Sequence, residues 1–189
     1  MSIFAENDIG KVWAGDVQIG KAYVGEELIY SAQEPLYTYG VQNVAWKGAG
    51  SDGKSGSTTF GDNSVTIKAT GSYSNSGRSQ TMRTVDKIKL KDYSKLKAIV
   101  SGYVADGGKL TDNISGYFRM GIATKEVNNI KNYGVASVNI NPAEKTTAVR
   151  EVEMDISGYN DEYYINITVT AYRINDAANT GYVHAVWLE

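Results

Sequence analysis

The side chains best equipped for chemistry gather in three short polar stretches. The first, Gly71-Ser72-Tyr73-Ser74-Asn75-Ser76-Gly77-Arg78-Ser79-Gln80, offers Tyr73, Asn75 and Arg78. The second is Tyr159-Asn160-Asp161-Glu162, and the third sets Asn175 and Asp176 close to Asn179 and Tyr182. Each combines an aromatic ring with amide, carboxylate or guanidinium groups. That mixture suits sugar recognition, in which a flat ring packs on the C–H face of a pyranose while polar groups satisfy its hydroxyls. Tyr73, Asn75, Arg78, Tyr159, Asn160 and Asp161 are therefore the candidate glycan-binding residues. Taken singly, each stretch also reads as an ordinary hairpin loop.

Other chemistries find less to work with. His184 is the one histidine, and in the strand-like run Gly181-Tyr182-Val183-His184-Ala185-Val186-Trp187-Leu188 it reads as packed or hydrogen-bonded. No G-x-S-x-G, H-E-x-x-H or P-loop pattern occurs. The absence of cysteine removes disulfides, thiolate metal sites and thiol nucleophiles together. Glycoside hydrolysis needs only two carboxylates flanking one bond. Asp106, Asp112, Glu126, Asp155, Asp161, Glu162 and Asp176 fall mostly in or beside loops, and nothing in their spacing pairs any two of them. Asp52-Gly53-Lys54-Ser55-Gly56 lacks the alternating oxygen ligands and closing glutamate of a calcium loop. The expectation is a chain with no catalytic residue, no metal and no cofactor.

Charge and composition narrow the partners. The formal net charge is −2 and no Lys/Arg run appears, which argues against nucleic acid. No run approaches the roughly 18 apolar residues of a membrane helix, and the start, MSIFAENDIG, is too short and polar for a signal peptide, so synthesis in a cytoplasm is expected. The aromatic set is skewed to 14 Tyr and 3 Trp against 3 Phe. Rings with a polar handle favour recognition surfaces, although tyrosine is also a good strand former.

The elements that must position these groups are strands. From Tyr37 onward, short alternating segments are separated by Gly/Asn/Asp/Ser clusters, the pattern of an all-β sandwich over residues 37–189. Strands are predicted at 40–46, 58–60, 64–69, 80–90, 96–104, 116–123, 133–140, 149–156, 163–172 and 182–188, with no helix. Alternation directs Tyr163, Ile165, Ile167 and Val169 to the core, and 149–156 is expected to be the partner of that strand. Ser31-Ala32-Gln33-Glu34-Pro35 reads as a linker, placing a boundary near residue 36.

Ahead of it, residues 9–31 are a decapeptide written twice. Ile9-Gly10-Lys11 returns as Ile19-Gly20-Lys21, Trp13 as Tyr23, and Gly15-Asp16 as Gly25-Glu26. Glycine suits the first position of two-residue type II′ turns, so a three-stranded meander is expected, with Val12 facing Ile19, Ala14 facing Val17, Tyr23 facing Leu28 and Lys21 facing Tyr30. About 25 residues cannot bury enough surface to stand alone. The repeat must pack on the sandwich or on another protein. Val12, Trp13, Ile19, Tyr23, Leu28 and Tyr30 are the candidate assembly residues, and the exposed strand edges lead us to expect a homo-oligomer.

The blocks Lys11-Val12-Trp13-Ala14-Gly15-Asp16 and Lys21-Ala22-Tyr23-Val24-Gly25-Glu26-Glu27-Leu28-Ile29-Tyr30 resemble N-terminal blocks of tail, baseplate and fibre proteins of tailed bacteriophages. Residues 149–170 and 88–100 resemble pieces of the jelly-roll sandwiches of carbohydrate-binding modules and phage receptor-binding domains. The resemblance implies a virion protein that contacts other virion proteins, a trimer if it belongs to a fibre, and adsorption to host cell-surface polysaccharide. A capsid decoration or head-fibre protein without a glycan ligand, and a glycan-active enzyme, are the alternatives.

Overall fold

Residues of high strand propensity, interrupted by turn formers, produce antiparallel sheet almost throughout. The computed structural model describes residues 33–50, 56–70, 78–102, 115–140, 148–172 and 178–189, together with the backbone of five strands within residues 3–31. In that first part β1 (Ile3–Ala5), β2 (Val12–Ala14) and β3 (Val17–Ile19) form one sheet, while β4 (Lys21–Val24) and β5 (Glu27–Ser31) form a hairpin. Val12 faces Ile19, Ala14 faces Val17 and Tyr23 faces Leu28, as the repeat predicts. Two details differ. The repeat is not one three-stranded meander: β3 and β4 belong to different sheets, and the third strand beside β2 is Ile3–Ala5, a run too short for alternation to reveal. Lys21 faces Ser31 and Ala22 faces Tyr30, because a bulge between Ala22 and Tyr23 shifts the register by one. The turns at Gly15-Asp16 and Gly25-Glu26 lie outside the described residues.

The remainder is a β-sandwich. Its elements are β6 (Glu34–Thr38), β7 (Val41–Gln42), β8 (Trp46–Gly50), β9 (Gly56–Phe60), β10 (Val65–Thr70), β11 (Arg78–Thr84), β12 (Ile88–Lys89), β13 (Lys95–Ser101), β14 (Ser115–Ala123), α1 (Ile130–Tyr133), β15 (Ala136–Asn139), β16 (Arg150–Asp155), β17 (Glu162–Tyr172) and β18 (Ala178–Leu188). One sheet of seven strands runs β16-β13-β18-β10-β9, with β6 also on β18 and β7 on β6. The other, of six, runs β15-β14-β17-β11-β8, with β12 on β17. The inner faces meet in a single core. Val65, Ile67, Leu96 and Val183 come from the first sheet, and Met82, Phe118, Ile165 and Ile167 from the second, all fully buried. Each such side chain contributes about 1.5–3 kcal/mol.

Tyr163, Ile165, Ile167 and Val169 point inward as their alternation predicts. Their expected partner does not lie beside them. Residues of β16 pair with β13, Met154 against Leu96, at the edge of the opposite sheet. The link between β16 and β17 crosses from sheet to sheet through a turn in which Asp155 accepts from the Ser157 amide at 2.9 Å and Tyr159 N–H donates to Ile156 at 2.9 Å. The predicted 40–46 strand is broken at residues 43–45: Val41-Gln42 turns back on β6 through Tyr39-Gly40, and Trp46 opens β8 in the other sheet. Glu34 and Pro35, expected in a linker, are strand residues opposite Leu188 and Trp187. The four-residue α1 was not foreseen, since one helical turn leaves no period to read.

Gly181 of one sheet packs directly on the Phe118 ring of the other. A Cβ there would stand 2.6 Å from the ring of Phe118, which is fully buried and cannot retreat. Gly181→Ala should therefore lower stability by about 1–3 kcal/mol, the usual cost of overpacking, as read from urea denaturation. An unchanged midpoint would mean that the Phe118 ring has room to move.

Candidate functional site

The outer face of the six-stranded sheet is polar yet buried. Ser79, Thr81 and Arg83 of β11 stand beside Thr170, Thr168 and Asn166 of β17, and all six are nearly or completely withdrawn from solvent. Buried hydroxyls must find partners. Across the strands, the Thr81 and Thr168 hydroxyls lie 2.9 Å apart and those of Ser79 and Thr170 3.3 Å apart. Their remaining capacity is met by the segment that covers them, residues 124–133. Thr81 Oγ1 donates to Asn128 O at 2.9 Å, Asn129 Nδ2 donates to Ser79 Oγ at 2.8 Å, and Ile130 N–H donates to Thr168 Oγ1 at 3.4 Å.

Apolar and ionic contacts complete the attachment. Ala123, Val127 and Ile130 form a small buried cluster of their own under the segment. Ile130 needs Gly121 beneath it, because a Cβ on that glycine would come within 2.7 Å of its side chain. Arg83 donates to Val127 O at 3.2 Å and pairs with Glu126, which also accepts from Lys47 Nζ at 3.0 Å. The Lys47 hydrogen bond, aided by the Arg83 charge, holds the Glu126 carboxyl below the usual glutamate range. Asn129 caps α1 by accepting from Lys131 N–H at 3.1 Å. Lys131 Nζ then stands 3.5 Å over the centre of the Tyr117 ring.

This anchoring presents a cleft of about 600 Å³ lined by Ser79, residues 124–129, Asn132 and Tyr133. Asn128 and Asn132 are exposed, and Tyr133 is 69% exposed at the end of a turn that only Ile130 buries. A free ring beside two exposed amides, a hydroxyl and a cation is a surface that can stack on one face of a sugar and bond its hydroxyls. Among the described residues, no group of His, Asp or Glu side chains could hold a metal ion.

The structure does not bring the sequence-derived candidates together. Tyr73 and Asn75, with Asn175 and Asp176, lie outside the described residues. Arg78 opens β11 opposite Ala171, next to the cleft residue Ser79. Tyr159, Asn160 and Asp161 precede Glu162 at the other end of β17, nine residues and about 30 Å away. Asn160 and Asp161 are exposed there. The Tyr159 ring is not held out from its loop for a ligand: it is half-buried on the core and meets Tyr163 edge-on at 5.7 Å. Asn179 is buried and donates to Thr170 O at 2.9 Å. His184 is hydrogen-bonded, its Nε2 2.8 Å from Ser101 Oγ. Val12, Trp13, Ile19, Tyr23, Leu28 and Tyr30 all fall in the first five strands, where only the backbone is described.

The cleft itself was missed. Its signal in the sequence is Val127-Asn128-Asn129-Ile130-Lys131-Asn132-Tyr133, three amides and a tyrosine around two spaced apolar anchors.

No protein-family model matches the chain, and no curated protein matches it. Several solved structures are similar in outline. A family 11 carbohydrate-binding module from Clostridium thermocellum, in complex with a β-1,3-1,4-mixed-linked tetrasaccharide, aligns at 14% identity over 82% of this chain and 94% of that one, with a TM-score of 0.48. A family 29 carbohydrate-binding module from Piromyces equi aligns at 10% identity over 83% and 89%, with a TM-score of 0.46. The glycoside hydrolase domain of Endo-D from Streptococcus pneumoniae aligns at 12% identity over 76% of this chain, which spans 21% of that one, with a TM-score of 0.49. The assignment of a β-sandwich rests on this chain's own two sheets.

The Glu126 pairing gives the covering segment a pH dependence. Its folded-state pKa lies below its unfolded value, so the stabilisation is complete above the glutamate range and is lost as pH falls through the folded value. Amide protection over residues 124–133, corrected for intrinsic exchange, should fall as the pH drops below the ordinary glutamate range while β17 stays protected. Glu126→Gln should flatten that dependence, and equal acid sensitivity in both proteins would assign it elsewhere.

Proposed function

We propose that the sandwich binds carbohydrate, with the 124–133 cleft as its sugar site. The observation that carries this reading is the exposed Tyr133 ring beside the Asn128 and Asn132 amides, on a segment that the sheet beneath holds rigidly. Tyr133 supplies the stacking face. Asn132, Asn128 and Thr124 exchange hydrogen bonds with sugar hydroxyls, and Lys125 bonds acceptor oxygens. The rigidity of the segment lowers the entropy lost on binding. No bond is broken in this reading; the site recognises and does not catalyse.

The finer reading is adsorption. We propose that the chain is a tail, baseplate or fibre protein of a tailed bacteriophage, that residues 1–36 join it to other virion proteins or to its own copies, and that the sandwich contacts host cell-surface polysaccharide. The decapeptide repeat supports this, since among the described residues its four short strands and β1 pair only with one another.

Affinity electrophoresis of the whole chain through gels holding soluble mixed-linkage β-glucan, mannan, xylan or bacterial cell-wall polysaccharide tests the sugar site. At least one polymer should retard the wild type. Tyr133→Ala and Asn132→Ala should each reduce that retardation while changing stability by under about 0.5 kcal/mol, the usual result at exposed positions. Retardation by none of the polymers, or by all three proteins equally, would reject the cleft.

Removing residues 1–32 addresses the anchor. The remaining sandwich should keep its cooperative melt and sediment as a monomer, whereas the whole chain should exceed the 20.5 kDa of one copy in light scattering. A truncated chain that no longer melts cooperatively would make the repeat part of the sandwich core.

A further inference from the structure

On the opposite side of the sandwich, two backbone irregularities meet. Tyr39 and Gly40 form the two-residue loop between β6 and β7, with φ of 42° and 95°, the pattern of a type I′ turn. Glycine and asparagine adopt positive φ readily, whereas a tyrosine there is strained. The strain is maintained by its surroundings. Gly40 N–H donates to the buried Tyr37 hydroxyl at 3.0 Å, and the backbone of Asp62 packs so closely on Gly40 that no side chain would fit. Tyr39 N–H donates to His184 O at 2.7 Å.

His184 is the second irregularity. The register between β13 and β18 slips between Ile99 and Val100, so that Ala185 faces Ile99 and Val183 faces Val100, and His184 is the extra residue of a bulge. Bulges re-aim side chains. Here the imidazole is turned to the outer face, 2.8 Å from Ser101 Oγ and with its ring centre 6.3 Å from that of Tyr39. Ser101 and Thr66 are in turn the cross-strand neighbours of Tyr182, which is 38% exposed, while Tyr39 is 51% exposed.

We propose that Tyr39, His184 and Tyr182 form a second carbohydrate-binding surface, a flat platform on the outer face of the seven-stranded sheet. Two residues along a strand separate Tyr182 from His184 by about 7 Å, so the three rings make a row that can lie along a polysaccharide chain. Half-buried Thr66 flanks that row, where its hydroxyl can meet a sugar, while the buried Ser101 hydroxyl holds the imidazole. Hydroxyl residues flank the rings, which is unlike the contiguous apolar centre of a protein interface. A strained residue kept at an exposed turn also needs a function to explain it, since asparagine would sit there more comfortably. This surface uses no residue of the 124–133 cleft and lies on the other sheet, so it stands or falls separately.

Isothermal titration of the whole chain with the shortest oligosaccharide of whichever polymer retards it gives the number of sites. The wild type should take two per chain, Tyr133→Ala one, and a Tyr39→Asn/Tyr182→Ala double variant one. Tyr39→Asn alone should melt no lower than the wild type, because Asn-Gly suits this turn, yet should weaken the remaining site of Tyr133→Ala roughly tenfold, about 1.4 kcal/mol. If the double variant binds the same number of oligosaccharides at the same affinity as the wild type, the platform is not a sugar site, whatever becomes of the cleft. If instead the double variant changes the mass in light scattering and leaves titration untouched, the face joins copies of this chain and the proposal is overturned.

Discussion

The hydroxyl pairs between Ser79 and Thr170 and between Thr81 and Thr168 are the constraint from which the site follows. Once these groups leave water, each donor and acceptor must be matched, and two strands alone cannot match them all. The loop carbonyl of Asn128, the amide of Ile130 and the side chain of Asn129 complete the set. A segment bound through its own backbone has little freedom left. Its side chains that point away, Asn128, Asn132 and Tyr133, are therefore presented in a fixed arrangement by a sheet whose inner face is an ordinary apolar core.

The same logic explains why the segment keeps its ionic anchor at one end. Arg83 is nearly buried in the polar layer, and an unpaired guanidinium there would be costly. Val127 O and Glu126 answer it, and Lys47 holds Glu126 from the other side. The exposed Glu126–Lys47 pair contributes little energy by itself. Its value lies in giving the Arg83 charge a fixed partner, which sets where the covering segment leaves β14.

Much of the fold was legible because alternation reports which face of a strand is apolar. Tyr163, Ile165, Ile167 and Val169 are inward as read, and Val12 with Ile19 and Tyr23 with Leu28 pair as the repeat requires. Alternation does not report partners. Residues 149–156 and 163–172 share one rhythm because both line the same core, from opposite sheets. The site was hidden by the same code. Asn166, Thr168 and Thr170 occupy polar positions that read as solvent-facing, and nothing local says that a loop from 40 residues earlier covers them. Bulges escape for a related reason: one inserted residue, at His184 or at Ile29 opposite Ala22 and Tyr23, leaves composition unchanged while shifting register.

The strand Ala178–Leu188 serves three neighbours at once, β10, β13 and β6, and so joins the two halves of the seven-stranded sheet. β6 is therefore made roughly 150 residues before the long strand it must lie against, and during translation it has only the two residues of β7 beside it until β18 leaves the ribosome. Closure over so long a separation places the molecule among slow folders. Until that moment the apolar faces of β10 and β13 have no strand between them, and the nascent chain is exposed to association with others of its kind. Pro35 in β6 cannot donate a ladder hydrogen bond, which blunts an early strand that would otherwise be the first edge available for such pairing.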